Sequence, residues 1–284
     1  MRAIIGLLLF VFVVSGCVSR SGVAEFVTYK TVFDESTAVS TALIDQLSAS
    51  ERRIGQYQRL RGSKGAGKVF NVSDAAYYSR EADPPLAAHY RKALDVIGRY
   101  NVIMLGYATG RGFDELEAEI FALSAEASKT VDLVTGSTQI AAQFAPYLGM
   151  LREFADLGLA ARSRQVFRDK AVAYHADIVG LIETMRDGAP EIFEVLTFWI
   201  EKDIVDGTVA GRGVGELRDK HLQVRVLVSD WVILMNRNID ALNAVVFAIE
   251  NPSLGSDLSG ATTSLIELQT TVKAVRTHLA EVNS

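Results

Sequence analysis

The chain has 284 residues, a net charge of −5 and 49% hydrophobic residues. This apolar content is sufficient for a sizeable core and excludes a largely disordered chain. The mild acidity argues against a nucleic-acid-binding protein, which would need a concentrated basic surface. Cys17 is the only cysteine, so an internal disulfide is excluded.

The first seventeen residues, MRAIIGLLLFVFVVSGC, have the organisation of a secretory signal peptide. Arg2 supplies the positive n-region, and the apolar run 3–14 has the length of a signal h-region rather than that of a bilayer span. The stretch Val14-Ser15-Gly16-Cys17 then resembles the lipobox of bacterial lipoproteins. The resemblance implies that residues 1–16 are removed and that Cys17 is the lipidation site, acylated on its sulfur and on its new amino group.

A lipidated Cys17 places residues 17–284 outside the cytoplasm and tethers them to a membrane. Two or more acyl chains form a stable anchor, because each buried CH₂ adds about 0.8 kcal/mol. In lipoproteins of Gram-negative bacteria an Asp after the lipidated Cys commonly retains the protein at the inner membrane. By that resemblance Val18 favours the outer membrane, facing the periplasm. The alternative is an uncleaved signal anchor with an incidental Cys. We expect no second membrane span, since no later apolar run has the required length.

Residues 61–70, RGSKGAGKVF, have the glycine and lysine spacing of a phosphate-binding loop. Such a loop needs a Ser or Thr after the lysine to bind Mg²⁺, and it lies between a buried strand and a helix. Here Val69 occupies the hydroxyl position, no strand pattern precedes it and no helical pattern follows. We therefore predict a flexible linker at about 61–83, with no bound nucleotide and no other cofactor.

Helical periodicity accounts for most of the chain after the signal segment. A long first helix has small residues at its middle and is marked by Phe26, Tyr29, Phe33, Leu43, Leu47, Ile54 and Tyr57. Pro84-Pro85 begins a second helix, which Gly110-Arg111-Gly112 interrupts. A third helix is predicted at FDELEAEIFALSAEA, and a fourth is marked by Ile140, Phe144, Leu148 and Leu151. A fifth is marked by Tyr174, Ile178, Leu181 and Met185, and a sixth begins at Gly188-Ala189-Pro190.

The strongest pattern runs from Val214 to Ile249. Alternating steps of three and four residues give the heptad seam Val214, Leu217, His221, Val224, Val228, Trp231, Met235, Asn238, Leu242, Val245 and Ile249. A last helix repeats this spacing from Leu258 to Val282. Short connections between long helices favour antiparallel neighbours. The prediction is an all-α fold, an elongated antiparallel multi-helix bundle with long heptad-patterned helices, forming one domain over 17–284.

Two polar residues, His221 and Asn238, interrupt the apolar seam. A buried polar residue in a seam lowers stability and fixes register, which is the interpretation that we favour. The alternative is a polar ligand site inside the bundle, to which Asn101 would add a third contact. The histidines are distributed one to a helix and form no pair with metal-ligand spacing, so no metal site is expected. No motif of a hydrolase or of another enzyme class is present.

Two functions remain open on these grounds. The first is a non-enzymatic envelope lipoprotein that acts as a scaffold or adaptor through protein–protein contact, with the membrane and an envelope protein as its partners. The second is a binding module that holds an apolar or small-molecule ligand between its helices, with His221, Asn238 and Asn101 as inward contacts.

Overall fold

A computed structural model of the chain describes residues 22–61, 70–109, 164–207, 212–251 and 258–282. The prediction of an all-α fold is confirmed, since the described residues form helices and contain no strand. After a short 3₁₀ turn at Val72–Asp74 is set aside, the helices are α1 Val23–Arg61, α2 Ala75–Tyr78, α3 Pro85–Thr109, α4 Arg164–Ala173, α5 His175–Asp187, α6 Ala189–Val205, α7 Arg212–Glu250 and α8 Leu258–Val282. Cys17 and the segments expected to be helical around 113–127 and 140–151 lie outside the described residues.

Helix α1 begins at a glycine that the local backbone requires. Gly22 has a φ of 88°, and its N–H donates a 2.7 Å hydrogen bond to the carboxylate of Glu25 in the first turn. A Cβ at Gly22 would also lie 2.6 Å from Cγ1 of Ile249 at the end of α7. The start of α1 and the end of α7 are therefore packed closely together.

The small residues at the middle of α1 accommodate large side chains of α7. The Trp231 indole is fully buried, and its Nε1–H donates to the Ser40 hydroxyl at 3.3 Å. One turn earlier in α1, Ser36 accepts a 2.8 Å hydrogen bond from the Asn238 amide. Together with the pair of Gly22 and Ile249, these contacts show that α1 and α7 run antiparallel.

The same reasoning orients the other helices. Helix α3 runs antiparallel to α1, since Glu51 meets Leu86 and Asp45 meets Arg91. Helix α8 runs back along α7, where a hydrogen bond joins Asp230 to His278 and an ion pair joins Arg237 to Glu267. Helix α5 is also antiparallel to α7, because His175 contacts Asn243 and Arg186 contacts Asn236.

Part of the expected linker is folded against α1. Residues 62–69 lie outside the described residues, but the segment 70–83 turns back along the last part of α1. The Gln56 side chain donates a 2.6 Å hydrogen bond to the carbonyl of Tyr77, and Arg59 forms a 2.5 Å ion pair with Asp74. Gly55 allows this approach, since a Cβ there would lie 2.2 Å from the Tyr77 ring.

The seam of α7 is buried along only part of the predicted length. From Val224 to Ile249 its members are buried, whereas Val214, Leu217 and His221 are half-buried. The heptad pattern therefore continues beyond the part of α7 that the other helices cover. The contacts with α5 and α8 given above begin only at Asp230, so fewer neighbours cover the first turns of α7.

We expected no apolar segment of membrane-spanning length after the signal segment, but α7 contains one. The segment Gly213–Glu250 is long and apolar enough to cross a membrane, with a mean hydropathy of 1.4 over its most apolar window. Because 56% of that window is buried against other helices, packing in the protein core accounts for the composition.

Candidate functional site

The three predicted inward polar residues do not converge. Asn238 and Asn101 are buried in α7 and α3, whereas His221 lies at the partly exposed start of α7. Asn238 and His221 are separated by about 25 Å along one helix. A single site formed by all three residues is therefore excluded by their positions.

His221 was expected inside the bundle and is found at its edge. Its Nε2 lies 3.2 Å from Oε1 of Glu201, and its ring packs against Phe193 with centroids 5.2 Å apart. The expectation of a buried His221 is wrong, because the helix face that carries it is only partly covered by α6. A half-exposed pair of this kind contributes little to stability.

Asn238 has the structural role that the seam suggested. Its amide nitrogen donates to Ser36 and to the carbonyl of Leu234, at 2.8 and 2.9 Å. Its side-chain oxygen has no hydrogen-bond partner in the described part of the chain. The bond to Ser36 joins α7 to α1 at one register, which is what a single polar residue in a seam specifies, while the bond to the Leu234 carbonyl lies within α7.

Asn101 and Tyr29 form a second buried polar position, between α3 and α1. Both side chains are fully buried. Burial, followed by the proximity of Tyr100, raises the pKa of Tyr29, and the nearby Asn101 side chain partly offsets this shift. The two groups are close without hydrogen-bond geometry, so within the described residues the Tyr29 hydroxyl and both polar atoms of Asn101 have no partner. Buried groups left in this way are costly and suit an ordered water or a small polar ligand.

An open polar groove lies where α1 meets the segment before α3. It has a volume of about 660 Å³ and is lined mainly by charged side chains. Arg91 crosses it, pairing with Asp83 at 2.5 Å and with Asp45 at 2.8 Å. Burial alone would raise the pKa of Asp83, but hydrogen bonds from Arg91 and Ser48 lower it below its ordinary value.

Glu51 lies beside this groove and holds the start of α3. Its two carboxylate oxygens accept 3.0 Å hydrogen bonds from the backbone N–H groups of Leu86 and Ala87. Burial nevertheless raises the pKa of Glu51, because its desolvation outweighs these two bonds. Most charged side chains at this groove thus form ion pairs and hydrogen bonds that hold α1 against the start of α3, which indicates a structural role.

A different surface lies at the far end of α1, on its last three turns. Tyr57 of α1 meets Phe198 and Trp199 of α6, with ring centroids 6.4 and 5.1 Å apart. Three cations lie over these rings. Arg53 stacks on Trp199 at 4.2 Å, while Arg61 and Lys202 lie 5.2 and 5.6 Å from the centre of Tyr57. We call these six residues the far-end surface.

Most of the strongly exposed apolar side chains of the described residues lie in segments near the same end of the protein as the far-end surface. The large hydrophobic residues that are at least half exposed in the described part of the chain are Leu60, Phe70, Val72, Tyr78, Val205, Leu222 and Ile266. All but Ile266 belong to the end of α1, the segment after it, the end of α6 or the first turns of α7. Clustered exposed apolar groups with a polar rim are typical of an interaction surface.

Sequence reasoning missed this surface, although a signal was present. Tyr57 marked the first helix in the sequence pattern, and Trp199 follows the helix start expected at Gly188-Ala189-Pro190. Arg53 and Arg61 lie four residues before and after Tyr57, so all three share one face of α1. That spacing could have indicated a cationic and aromatic surface, but only the packing of α6 brings Trp199 beneath Arg53.

Among the described residues, no group of three or more His, Cys, Asp and Glu side chains has the arrangement of a metal site. Comparison of the chain with protein-family models, with curated proteins and with solved structures found no match. The function is therefore argued from the surfaces of this chain alone.

Proposed function

We propose that this chain is a lipid-anchored scaffold or adaptor of the bacterial envelope that binds a partner protein and catalyses no reaction. The observation that carries the proposal is the far-end surface, where aromatic and cationic side chains lie among exposed apolar residues. Aromatic residues and arginine are the groups that most often dominate binding energy at protein interfaces.

The position of this surface supports an adaptor role. Helix α1 has 39 residues, from Val23 to Arg61. It therefore extends about 58 Å from its start to the far-end surface. Cys17 precedes the start of α1 by only six residues. A membrane anchor at one end of α1 and a docking surface at the other would hold a partner at a distance from the bilayer.

The anchor is tested by replacing Cys17 with Ser. We expect the wild-type protein to fractionate with the outer membrane on a density gradient and the Cys17→Ser variant to lose membrane association. Incorporation of labelled palmitate should disappear in the same variant. Membrane retention of Cys17→Ser without acylation would contradict the lipid anchor.

The docking surface is tested by site-specific photocrosslinking in cells. A photoreactive amino acid replaces Leu60, next to Arg61, or Val205, about one turn after Lys202, or Val27 near the start of α1 as a control. We expect one discrete adduct from the first two positions and none from Val27. The adduct should be lost when Tyr57 and Trp199 are both replaced by Ala. Equal crosslinking from all three positions would contradict a localised docking surface.

The second candidate function is a binding module, favoured by the buried polar groups of Tyr29 and Asn101. Their unpartnered atoms could hold a small polar ligand between α1 and α3. Native mass spectrometry of the full chain tests this possibility. A bound molecule that is lost in Asn101→Leu would favour the binding module over the scaffold.

A further inference from the structure

The charged residues of the far-end surface indicate the chemistry of its partner. We propose that this surface binds an acidic protein segment whose carboxylates pair with Arg53 and Arg61. This inference rests on the proposed function as a scaffold or adaptor, and it adds the class of partner.

The proposed contact, an arginine that both stacks on an aromatic ring and pairs with a carboxylate, already occurs within this protein. Arg59 lies over the ring of Tyr77, with its Cζ 4.0 Å from the ring centroid. The Nε of the same guanidinium forms a 2.5 Å ion pair with Asp74. The flat face of the guanidinium thus contacts an aromatic ring, while its N–H edge binds a carboxylate. This division of the two surfaces is characteristic of arginine.

Arg53 and Arg61 have the aromatic part of this arrangement without the carboxylate. Arg53 stacks on Trp199, and Arg61 lies over Tyr57, to whose hydroxyl oxygen it donates a hydrogen bond. Neither arginine forms an ion pair within the described part of the chain. Each is exposed, so N–H groups remain available for a carboxylate from outside.

The end of α1 contributes side-chain charges of the required sign. Residues 51–61, ERRIGQYQRLR, contain four arginines and one glutamate, although the whole chain has a net charge of −5. The glutamate is Glu51, whose carboxylate is occupied at the start of α3. The end of α1 is thus a positive segment in an acidic protein, and it complements an acidic partner.

An anionic lipid surface fits less well than an acidic segment. Lipid recognition by charge alone uses a continuous cluster of basic residues. Helix α6 instead places Glu201, Asp203 and Asp206 near Lys202, and Lys202 is paired with Asp206. A mixed surface attracts a uniformly anionic bilayer only weakly, whereas individual carboxylates can still meet individual arginines.

The spacing of the two arginines constrains the partner further. Arg53 and Arg61 are separated by about 12 Å along α1. In an extended chain that distance corresponds to carboxylates about four residues apart. The residues between them would lie on Leu60 and on the ring of Tyr57, both of which favour apolar side chains.

The test measures binding of a defined peptide to the full chain in nanodiscs of zwitterionic lipid. The probe is a fluorescent extended peptide with two glutamates four positions apart and leucines between them; its control has lysines in place of the glutamates. We expect only the acidic peptide to bind. The double variant Arg53→Gln, Arg61→Gln should weaken binding about tenfold, as expected for two exposed ion pairs lost together.

Arg225 supplies a matched control. It is also exposed and stacked on an aromatic ring, with its Cζ 4.9 Å from the Phe193 centroid. Phe193 and Trp199 project from α6 in directions about 120° apart, so Arg225 lies off the far-end surface. Arg225→Gln should leave binding unchanged. Arg53→Lys should give an intermediate loss, because lysine keeps the charge but not the planar fork.

Several results would overturn the inference. The first is a loss of binding in Arg225→Gln as large as that in the Arg53→Gln, Arg61→Gln variant. The second is binding of the lysine peptide as strong as that of the glutamate peptide. The third is complete displacement of the peptide by vesicles of anionic phosphatidylglycerol. The proposed function is judged separately by the crosslinks from Leu60 and Val205 in cells. If those crosslinks persist in the Arg53→Gln, Arg61→Gln variant, the docking function remains and the acidic partner is wrong. Without crosslinks from either position, the docking function itself fails.

Discussion

Two glycines in helix interiors should respond in opposite directions to the same substitution. Among the described residues, no neighbouring atom lies within 4 Å of the position that a Cβ would occupy at Gly98 in α3. Gly98→Ala should therefore raise the free energy of unfolding by about 0.5–1 kcal/mol, the usual gain for replacing a helical glycine. Gly55 in α1 has the same helical context, but its Cβ would lie 2.2 Å from Cδ1 and 2.6 Å from Cε1 of Tyr77.

The Tyr77 ring cannot move freely to relieve this contact. Arg59 stacks on it, and Gln56 holds the Tyr77 carbonyl. Overpacking of this kind costs about 1–3 kcal/mol. After the gain in helix propensity is subtracted, Gly55→Ala should lower the free energy of unfolding by up to about 2 kcal/mol.

The assay is urea unfolding of the full chain, followed by circular dichroism, with both single variants and both combined with Tyr77→Ala. In the Tyr77→Ala background the steric conflict is absent, so Gly55→Ala should become as stabilising as Gly98→Ala. The reasoning is refuted if Gly55→Ala raises the urea midpoint in the wild-type background. That result would mean that the segment 70–83 does not pack on α1 and behaves as the flexible linker that its composition suggested.

Four further perturbations test the core and the polar positions. Trp231→Ala should lower the free energy of unfolding by about 3–5 kcal/mol in urea titrations, because it removes a fully buried indole from beside Tyr90; a change below about 1 kcal/mol would contradict the packing of α1 on α7. Asn238→Leu combined with Ser36→Ala should leave stability nearly unchanged, since both partners of the buried hydrogen bond are removed together; a large loss in the double variant would indicate that more than this pair depends on Asn238. Glu51 has a raised pKa in the folded state, so its contribution to stability should decrease as pH rises from its unfolded value of 4.5 through the folded pKa; this slope should be absent in Glu51→Gln, and an unchanged slope would assign it to other groups. His221→Leu should change the free energy of unfolding by less than about 1 kcal/mol, as expected for a half-exposed pair; thermal melting at neutral pH measures it, and a loss of several kcal/mol would restore His221 to the core.

The periodic pattern of apolar residues is a local property, and it located most of the described helices, although it marked neither α4 nor the short α2 within the expected linker. The apolar positions of α1 and α7 recur every three or four residues, and Pro85 and Gly188 mark helix boundaries. These signals depend on backbone geometry and capping within a few residues, so they can be interpreted without knowledge of the neighbours. The all-α class followed from them directly.

Which side chains are buried was harder to predict from the sequence, because burial depends on which neighbouring helices cover a given turn. His221 and Asn238 both belong to the heptad seam of α7, yet only Asn238 is buried. The difference arises because α1, α5 and α8 pack along the later turns of α7. A periodic pattern identifies one face of a helix but does not state how far along its length that face is covered.

The far-end surface was decided by tertiary structure alone. The sequence by itself determined that Arg53, Tyr57 and Arg61 share one face of a helix, and that Cys17 ends a signal-like segment. It did not determine that Trp199, far along the chain, would lie beneath Arg53. Contacts between residues distant in sequence depend on the direction and packing of whole helices, which no local spacing encodes.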